Sequence, residues 1–351
     1  MMEKLYADFA WEQAAALLSI DSPTGFTEKA AAWVKNAFSA LGFDAHTTNK
    51  GGVLVDFGGA DGENALMLAA HVDTLGAMVA AVKGNGRLKV TALGGMNANN
   101  GEAENVRIYT RDGRTYEGTL QLCNASVHVN GDYSSAKRGF DTMEIVLDED
   151  VSSAADTRKL GIQEGDIVCF DPRTRRTASG FLKSRFLDDK LSVGVLLGFA
   201  KYLKDTGTVP ARRVYAHVTV YEEVGHGGSS SVPAGVTEAI SVDMGCVGNG
   251  LSCTERQVSI CAKDAFLPYD YELTTRLINL AEKLGCESAS VENILADPAI
   301  DGVVLCAAAV SVVCFCAGLT VSFAFSTPVG ATVVAANLSL FLLSCVLRLF
   351  R

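Results

Sequence analysis

The sequence predicts an α/β fold interrupted by a small β-rich domain, and three observations carry that expectation. Helix-period and strand-like segments alternate at both ends of the first 285 residues, the texture between about Met78 and Ser179 turns to short β-rich runs, and the segments rich in His and acids fall at strand ends.

The first helix is read from Tyr6, Phe9, Ala10, Ala14, Leu17 and Leu18, and it stops at the turn cluster Asp21-Ser22-Pro23-Thr24-Gly25. A second helix runs from the N-cap candidate Thr27 through Ala31, Val34 and Phe38 to Leu41, with Gly42 as its stop. Two strands follow, at 53–57 and 65–70. The second is apolar on both faces, as a central strand covered by helices would be. Within 78–179 the runs at 88–90, 106–109, 118–122, 144–147 and 166–170 are separated by Gly, Asn and Asp, the pattern of a β module. A helix returns at 189–203, followed by strands at 214–220 and 239–242. Leu273, Leu277, Leu280 and Leu284 then form one face of an amphipathic helix ended by Gly285.

Composition narrows the function. With 351 residues the chain has room for two domains, or for one large domain carrying an insert. A net charge of -10 excludes a basic nucleic-acid surface. The first residues are charged and contain no apolar core with a cleavage site, so the expectation is a cytoplasmic protein without a signal peptide. The ten cysteines include no CxxC pair and read as free thiols.

Four segments concentrate the chemistry: Ala70-His71-Val72-Asp73-Thr74, Phe186-Leu187-Asp188-Asp189-Lys190, Tyr221 to Gly228 with Glu222-Glu223 at its head, and Val242-Asp243-Met244-Gly245. Singly each has a plain structural meaning: a polar loop, an N-cap pair, a solvated strand end, a turn. Together they offer His and carboxylates, the donors of zinc and related cations, on one side of one sheet. On a strand end, Glu222 and Glu223 would point opposite ways, one to metal and one to substrate. His226 reads as a loop histidine hydrogen-bonded to backbone, and His217 as pointing to the far face of its strand.

His71-Val72-Asp73, Leu187-Asp188-Asp189-Lys190, Glu222-Glu223-Val224-Gly225 and Val242-Asp243-Met244-Gly245 resemble the metal-site motifs of the M42 metallo-aminopeptidases. The longer runs Lys183 to Ser192 and Tyr221 to Gly228 are the most specific, and Asp21 to Gly25 and Pro268 to Thr274 also match. The resemblance covers about residues 1–285. It implies a mixed-sheet, phosphorylase/hydrolase-like di-zinc aminopeptidase-type catalytic domain at 1–77 and 180–300, with a PDZ-like oligomerisation domain inserted at 78–179. It also implies two zinc or cobalt ions, peptide substrates and a homo-oligomer. Carried over residue by residue, Asp188 would bridge both metals, His71 and Glu223 would each bind one, and Asp243 would complete a shell. Glu222 would be the general base, and Asp73 would orient His71 from behind. A related di-zinc carboxypeptidase or deacylase and a non-catalytic homologue are the alternatives.

The sequence departs from that family after about Gly285. The family's last ligand is a histidine near the C-terminus, but no histidine follows His226. Between Asp301 and Arg348 no residue is charged. The apolar tail at 301–351 is read as a frameshift product, as a membrane anchor or as a buried core segment. The first of these leaves an enzyme impaired by the lost ligand, and membrane association follows only if the tail is genuine.

Overall fold

The computed structural model describes residues 2–264, 267–286 and 288–293, so the expectations placed on the tail at 301–351 lie outside the described residues. The chain divides into two compact units, Met1–Met244 and Gly245–Arg351.

In the first unit α1 (Met2–Leu18) and α2 (Glu28–Ala40) precede β1 (Asp44–Thr47), β2 (Val53–Asp56) and β3 (Asp61–His71). Strands β4 (Gly76–Val82), β5 (Leu88–Leu93), β6 (Glu104–Tyr109), β7 (Thr115–Leu122) and β8 (Met143–Leu147) follow, then the short α3 (Ala154–Lys159) and β9 (Ile167–Phe170). A small antiparallel pair, β10 (Arg175–Arg176) with β11 (Leu182–Lys183), leads into α4 (Leu187–Thr206), β12 (Arg212–Thr219) and β13 (Val236–Ser241). The second unit holds β14 (Val258–Lys263), α5 (Tyr271–Leu284) and β15 (Ser288–Asn293), with β14 and β15 paired in parallel.

Two sheets organise the first unit. One has five strands in the order β1-β2-β12-β3-β13; the other closes into a barrel in the order β4-β5-β8-β7-β6-β9. In the open sheet β3 runs parallel to both β12 and β13, so the C-terminal ends of all three lie on one side. That shared end is where an open α/β sheet presents its site. Along the apolar run of β3, Ala65, Met67 and Ala70 are buried while Leu66, Leu68 and Ala69 are only partly so, so the two faces are not covered equally.

The core of the open sheet joins Val53, Val55, Ala216 and Val218 to Val34 and Phe38 of α2 and to Val193 and Leu197 of α4. Helices α1 and α4 pack closely enough to require glycine. A Cβ on Gly194 would stand 2.6 Å from the Ala10 carbonyl oxygen, and one on Gly198 would stand 3.1 Å from that of Tyr6. The barrel has its own core, with Val79, Leu88, Val106, Ile108, Leu120, Ile145 and Phe170 all buried.

Local signals set most boundaries. Thr27 occupies the N-cap of α2, although its side chain makes no capping hydrogen bond. Asp270 caps α5 through its carboxylate, which accepts from the Leu273 N–H at 2.7 Å, and Gly285 closes the helix in a left-handed conformation. Among the described residues no helix is long and apolar enough to cross a membrane.

Candidate metal centre

His71 is the hub. It ends β3, is 1 % exposed, and is fixed at both ring nitrogens. Its Nδ1 lies 2.9 Å from the Asp73 carbonyl oxygen and 3.4 Å from Asp73 Oδ1, so the Nδ1 proton is turned toward Asp73. Its Nε2 points the other way, 3.0 Å from Asp188 Oδ1 and 3.6 Å from Glu222 Oε2. An imidazole held at Nδ1 presents Nε2 to a cation, the usual arrangement of a ligating histidine.

Asp73 is fully buried and supports three segments at once. Its carboxylate accepts from Thr24 Oγ1 at 2.7 Å and from the Glu222 and Glu223 N–H groups at 3.2 and 3.3 Å. The turn that supplies Thr24 is docked by Ser22, whose hydroxyl donates to the Val72 carbonyl at 2.7 Å. Burial alone would raise the Asp73 carboxyl, but hydrogen bonds from His71 and Thr24 outweigh it and hold the group below the ordinary range.

The acidic pair at the head of α4 divides its work. The peptide between Asp188 and Asp189 is cis, and both residues depart from helical geometry, so the regular helix runs from Lys190. Asp188 stays partly exposed and faces His71 Nε2. Asp189 turns inward: its Oδ2 accepts from the His71 N–H at 3.0 Å, while its Oδ1 is buried with no hydrogen-bond partner among the described residues. The sequence reading gave Asp189 no metal role. Yet among the described residues His71, Asp189 and Asp243 bring their ligand atoms to within 4.8 Å of one another.

The glutamates correct one expectation. They lie on a one-turn 3₁₀ helix, Glu222–Val224, beyond the end of β12, and not on a strand, so strand alternation does not govern where they point. Glu222 reaches toward His71, half exposed. Burial, then the charge of Asp188, pushes the Glu223 carboxyl up to about 8. His226 is hydrogen-bonded to backbone through its N–H, which donates to the Tyr221 carbonyl at 3.1 Å, while its ring stacks on Tyr221 with centroids 5.0 Å apart and its Nδ1 lies 2.8 Å from Lys50 Nζ. His217 is buried within β12, with Nδ1 unpaired among the described residues.

Electrostatically the site is short of positive charge. Burial would lower the His71 imidazole, but Asp188 and Asp73 overcome it and push it up to about 12. Burial and then Asp243 push the Asp189 carboxyl up to about 8, while Glu222 and Asp243 are raised chiefly by burial. A divalent cation held by these side chains would supply positive charge where the carboxylates crowd together.

Residues 51–296 match the family described as M42 glutamyl aminopeptidase. The chain belongs to the M42 family. It is 42% identical over 267 residues to the aminopeptidase-like protein YhfE of Bacillus subtilis, covering 76% of this chain and 77% of that protein. It is 26% identical over 218 residues to the glutamyl aminopeptidase of Lactococcus lactis, covering 61% of this chain and 60% of that one. Membership places it among the metal-dependent aminopeptidase-type hydrolases. The mixed α/β fold is shared with solved peptidases. The TET aminopeptidase of a marine-sediment Thaumarchaeota archaeon matches with a TM-score of 0.73 at 20% identity, covering 81% of each chain. The TET1 peptidase of Pyrococcus horikoshii, described as assembling into a tetrahedron or a large octahedral shell, matches with a TM-score of 0.66 at 20% identity, covering 80% of this chain and 84% of that one. Residues 291–348 match a different family, described as ABC 3 transport.

Proposed function

We propose that this M42 chain is an aminopeptidase that holds two divalent ions, zinc or cobalt, and removes N-terminal residues from peptides. The observation that carries the proposal is the convergence of His71, Asp188, Asp189, Glu222 and Asp243 at one end of parallel β3, β12 and β13. His71, Asp188, Glu223 and Asp243 would hold the ions, with Asp188 shared between them, and the unpaired Oδ1 adds Asp189 to the candidate donors. Bound there, divalent ions would acidify a water and polarise the scissile carbonyl.

The chain's own residues supply the rest. Glu222, half exposed 3.6 Å from His71 Nε2, accepts the proton of the attacking water and passes it to the departing amine. Burial raises the Glu222 carboxyl and so strengthens the carboxylate as a base. Asp73 keeps the His71 proton on Nδ1, so Nε2 remains a donor to the cation. Among the described residues His71 is the imidazole that meets these carboxylates, and it would hold an ion together with them.

The barrel of β4 to β9 is read as the PDZ-like module at 78–179 that mediates self-association, and the catalytic portion as cytoplasmic. The tail has a second reading. The match of residues 291–348 to a transport family, together with the uncharged stretch after Asp301, supports the membrane-anchor reading of the tail.

The test uses the full-length chain, stripped with chelator and reloaded with zinc or cobalt, acting on Leu-Gly-Gly and its N-acetylated form. The expected result is metal-dependent release of leucine from the free peptide alone. Cleavage of the acetylated peptide, or release that ignores the ion, would remove the aminopeptidase reading.

A further inference from the structure

A cleft of ≈ 830 Å³ lies alongside the β10–β11 pair, its wall formed in part by Glu104, Arg173, Arg175, Lys183, Arg185 and Leu187. Its charge is unbalanced. Four cations face two carboxylates, and one of those, Glu102, is engaged by Arg138 from outside the lining at 2.8 Å. Glu104 is shared between Arg173 at 3.1 Å and Arg185 at 3.4 Å. Arg175 and Lys183 are left over. Among the described residues neither pairs with a carboxylate, and they stand directly opposite one another in the β10–β11 register. Like charges so placed destabilise a strand pair. Arg185 adds a buried Nε with no hydrogen-bond partner among the described residues. In a chain of net charge -10, such a surplus of cations in a concave wall is the complement of an anion.

Position selects the anion. Leu187, which lines the cleft, is followed directly by Asp188 of the metal centre. Asp188 lies five positions beyond Lys183, which caps the distance between their Cα atoms at roughly 18 Å in extended peptide. We propose that this cleft is a carboxylate-binding subsite for the part of a peptide substrate beyond its N-terminal residue, with Arg175 and Lys183 as the recognising cations. The proposal rests on the aminopeptidase reading for the identity of the ligand, but its binding chemistry is independent of the metal. The carboxylate could be an acidic side chain or the C-terminus of a short peptide; the cleft recognises what these share.

Calorimetric titration of the metal-stripped, full-length chain separates the possibilities without hydrolysis. Three probes are compared: Ala-Ala-Glu-Glu-Glu, Ala-Ala-Gln-Gln-Gln and the C-terminal amide of the latter. The acidic peptide should bind at least ~10-fold more tightly than the amide, as expected for one or two hydrogen bonds between charged partners. The advantage should shrink with added salt. A free-acid glutamine peptide as tight as the glutamate peptide assigns recognition to the terminal carboxylate; one as weak as the amide assigns it to side chains. Arg175→Gln with Lys183→Gln should erase the preference. Lys183→Gln alone, its fold checked by circular dichroism, should reduce it severalfold and serves if the double variant does not fold. Equal binding of the three peptides, a preference that survives the substitutions, or tighter binding of a short RNA would overturn the proposal. Retained preference without zinc-dependent cleavage would sink only the peptidase reading, whereas cleavage without preference would sink only the subsite.

Discussion

Thr24 and Asp73 are 49 residues apart in sequence, and the hydrogen bond between them is a direct lever on the candidate metal centre from outside it. Thr24→Val keeps the shape of the side chain and removes its donor. Thr24 is 7 % exposed and Asp73 is fully buried, so water does not readily replace the lost partner. A hydrogen bond to a charged group contributes about 1.5–3 kcal/mol. Asp73 retains the Glu222 and Glu223 N–H groups at 3.2 and 3.3 Å, which argues for the lower half of that range. Because Asp73 also orients the His71 ring, zinc affinity should fall by ~10-fold or more, the usual consequence of losing support behind a ligand. Urea unfolding measures the first effect and competition against a fluorescent chelator the second, with Thr24→Ser expected to recover most of both. A Thr24→Val chain within ~0.5 kcal/mol of the parent, the range of neutral surface changes, and of unchanged zinc affinity would show that the turn does not support the site.

Three further outcomes follow from the same geometry. Glu222→Gln should keep the bound metal and lose ~10²–10⁴-fold in turnover, and near-parental turnover would refute its role as general base. Asp188→Ala should lose both ions together, since a shared carboxylate belongs to both; elemental analysis showing one ion retained at parental affinity would make Asp188 a terminal ligand. In the barrel, Glu144 is buried against Lys83 and against Arg87 Nη1 at 2.6 Å, and these hydrogen bonds outweigh burial to hold its carboxyl below the ordinary 4.5. A depressed carboxyl stabilises the fold above its unfolded value and loses that contribution as the pH falls through its folded value. Glu144→Gln should therefore cost about 1–2 kcal/mol at pH 7, discounted for two partly exposed cations, and the gap to the parent should narrow steadily below pH 4.5 in parallel denaturant titrations. A gap independent of pH would contradict it.

Much of this was legible in sequence where the determinants are local. The boundaries of α5 follow from Asp270 and Gly285, each acting within four residues, and the β-rich texture after Met78 is written in short alternating runs. The site segments could be placed because His71, the 219–223 region and Asp243 follow parallel strands that end on one side. What sequence did not disclose depends on contacts across long separations. Asp189 is turned into the site by the His71 backbone, 118 residues away, and an adjacent acid pair gives no sign of which member turns inward. The 3₁₀ turn under Glu222 and Glu223 arises where Asp73 accepts their N–H groups, and the cations at Arg175 and Lys183 face each other only because a two-residue strand pair sets their register.

The most direct measurement is a zinc titration of the metal-stripped, full-length chain, run beside His71→Ala, Asp189→Asn and Asp243→Asn. The account predicts at least one site of high affinity in the parent, weakened in all three variants and weakest in His71→Ala, because their ligand atoms converge to within 4.8 Å. Zinc binding of undiminished affinity and stoichiometry in all three would place the metal elsewhere and contradict the account.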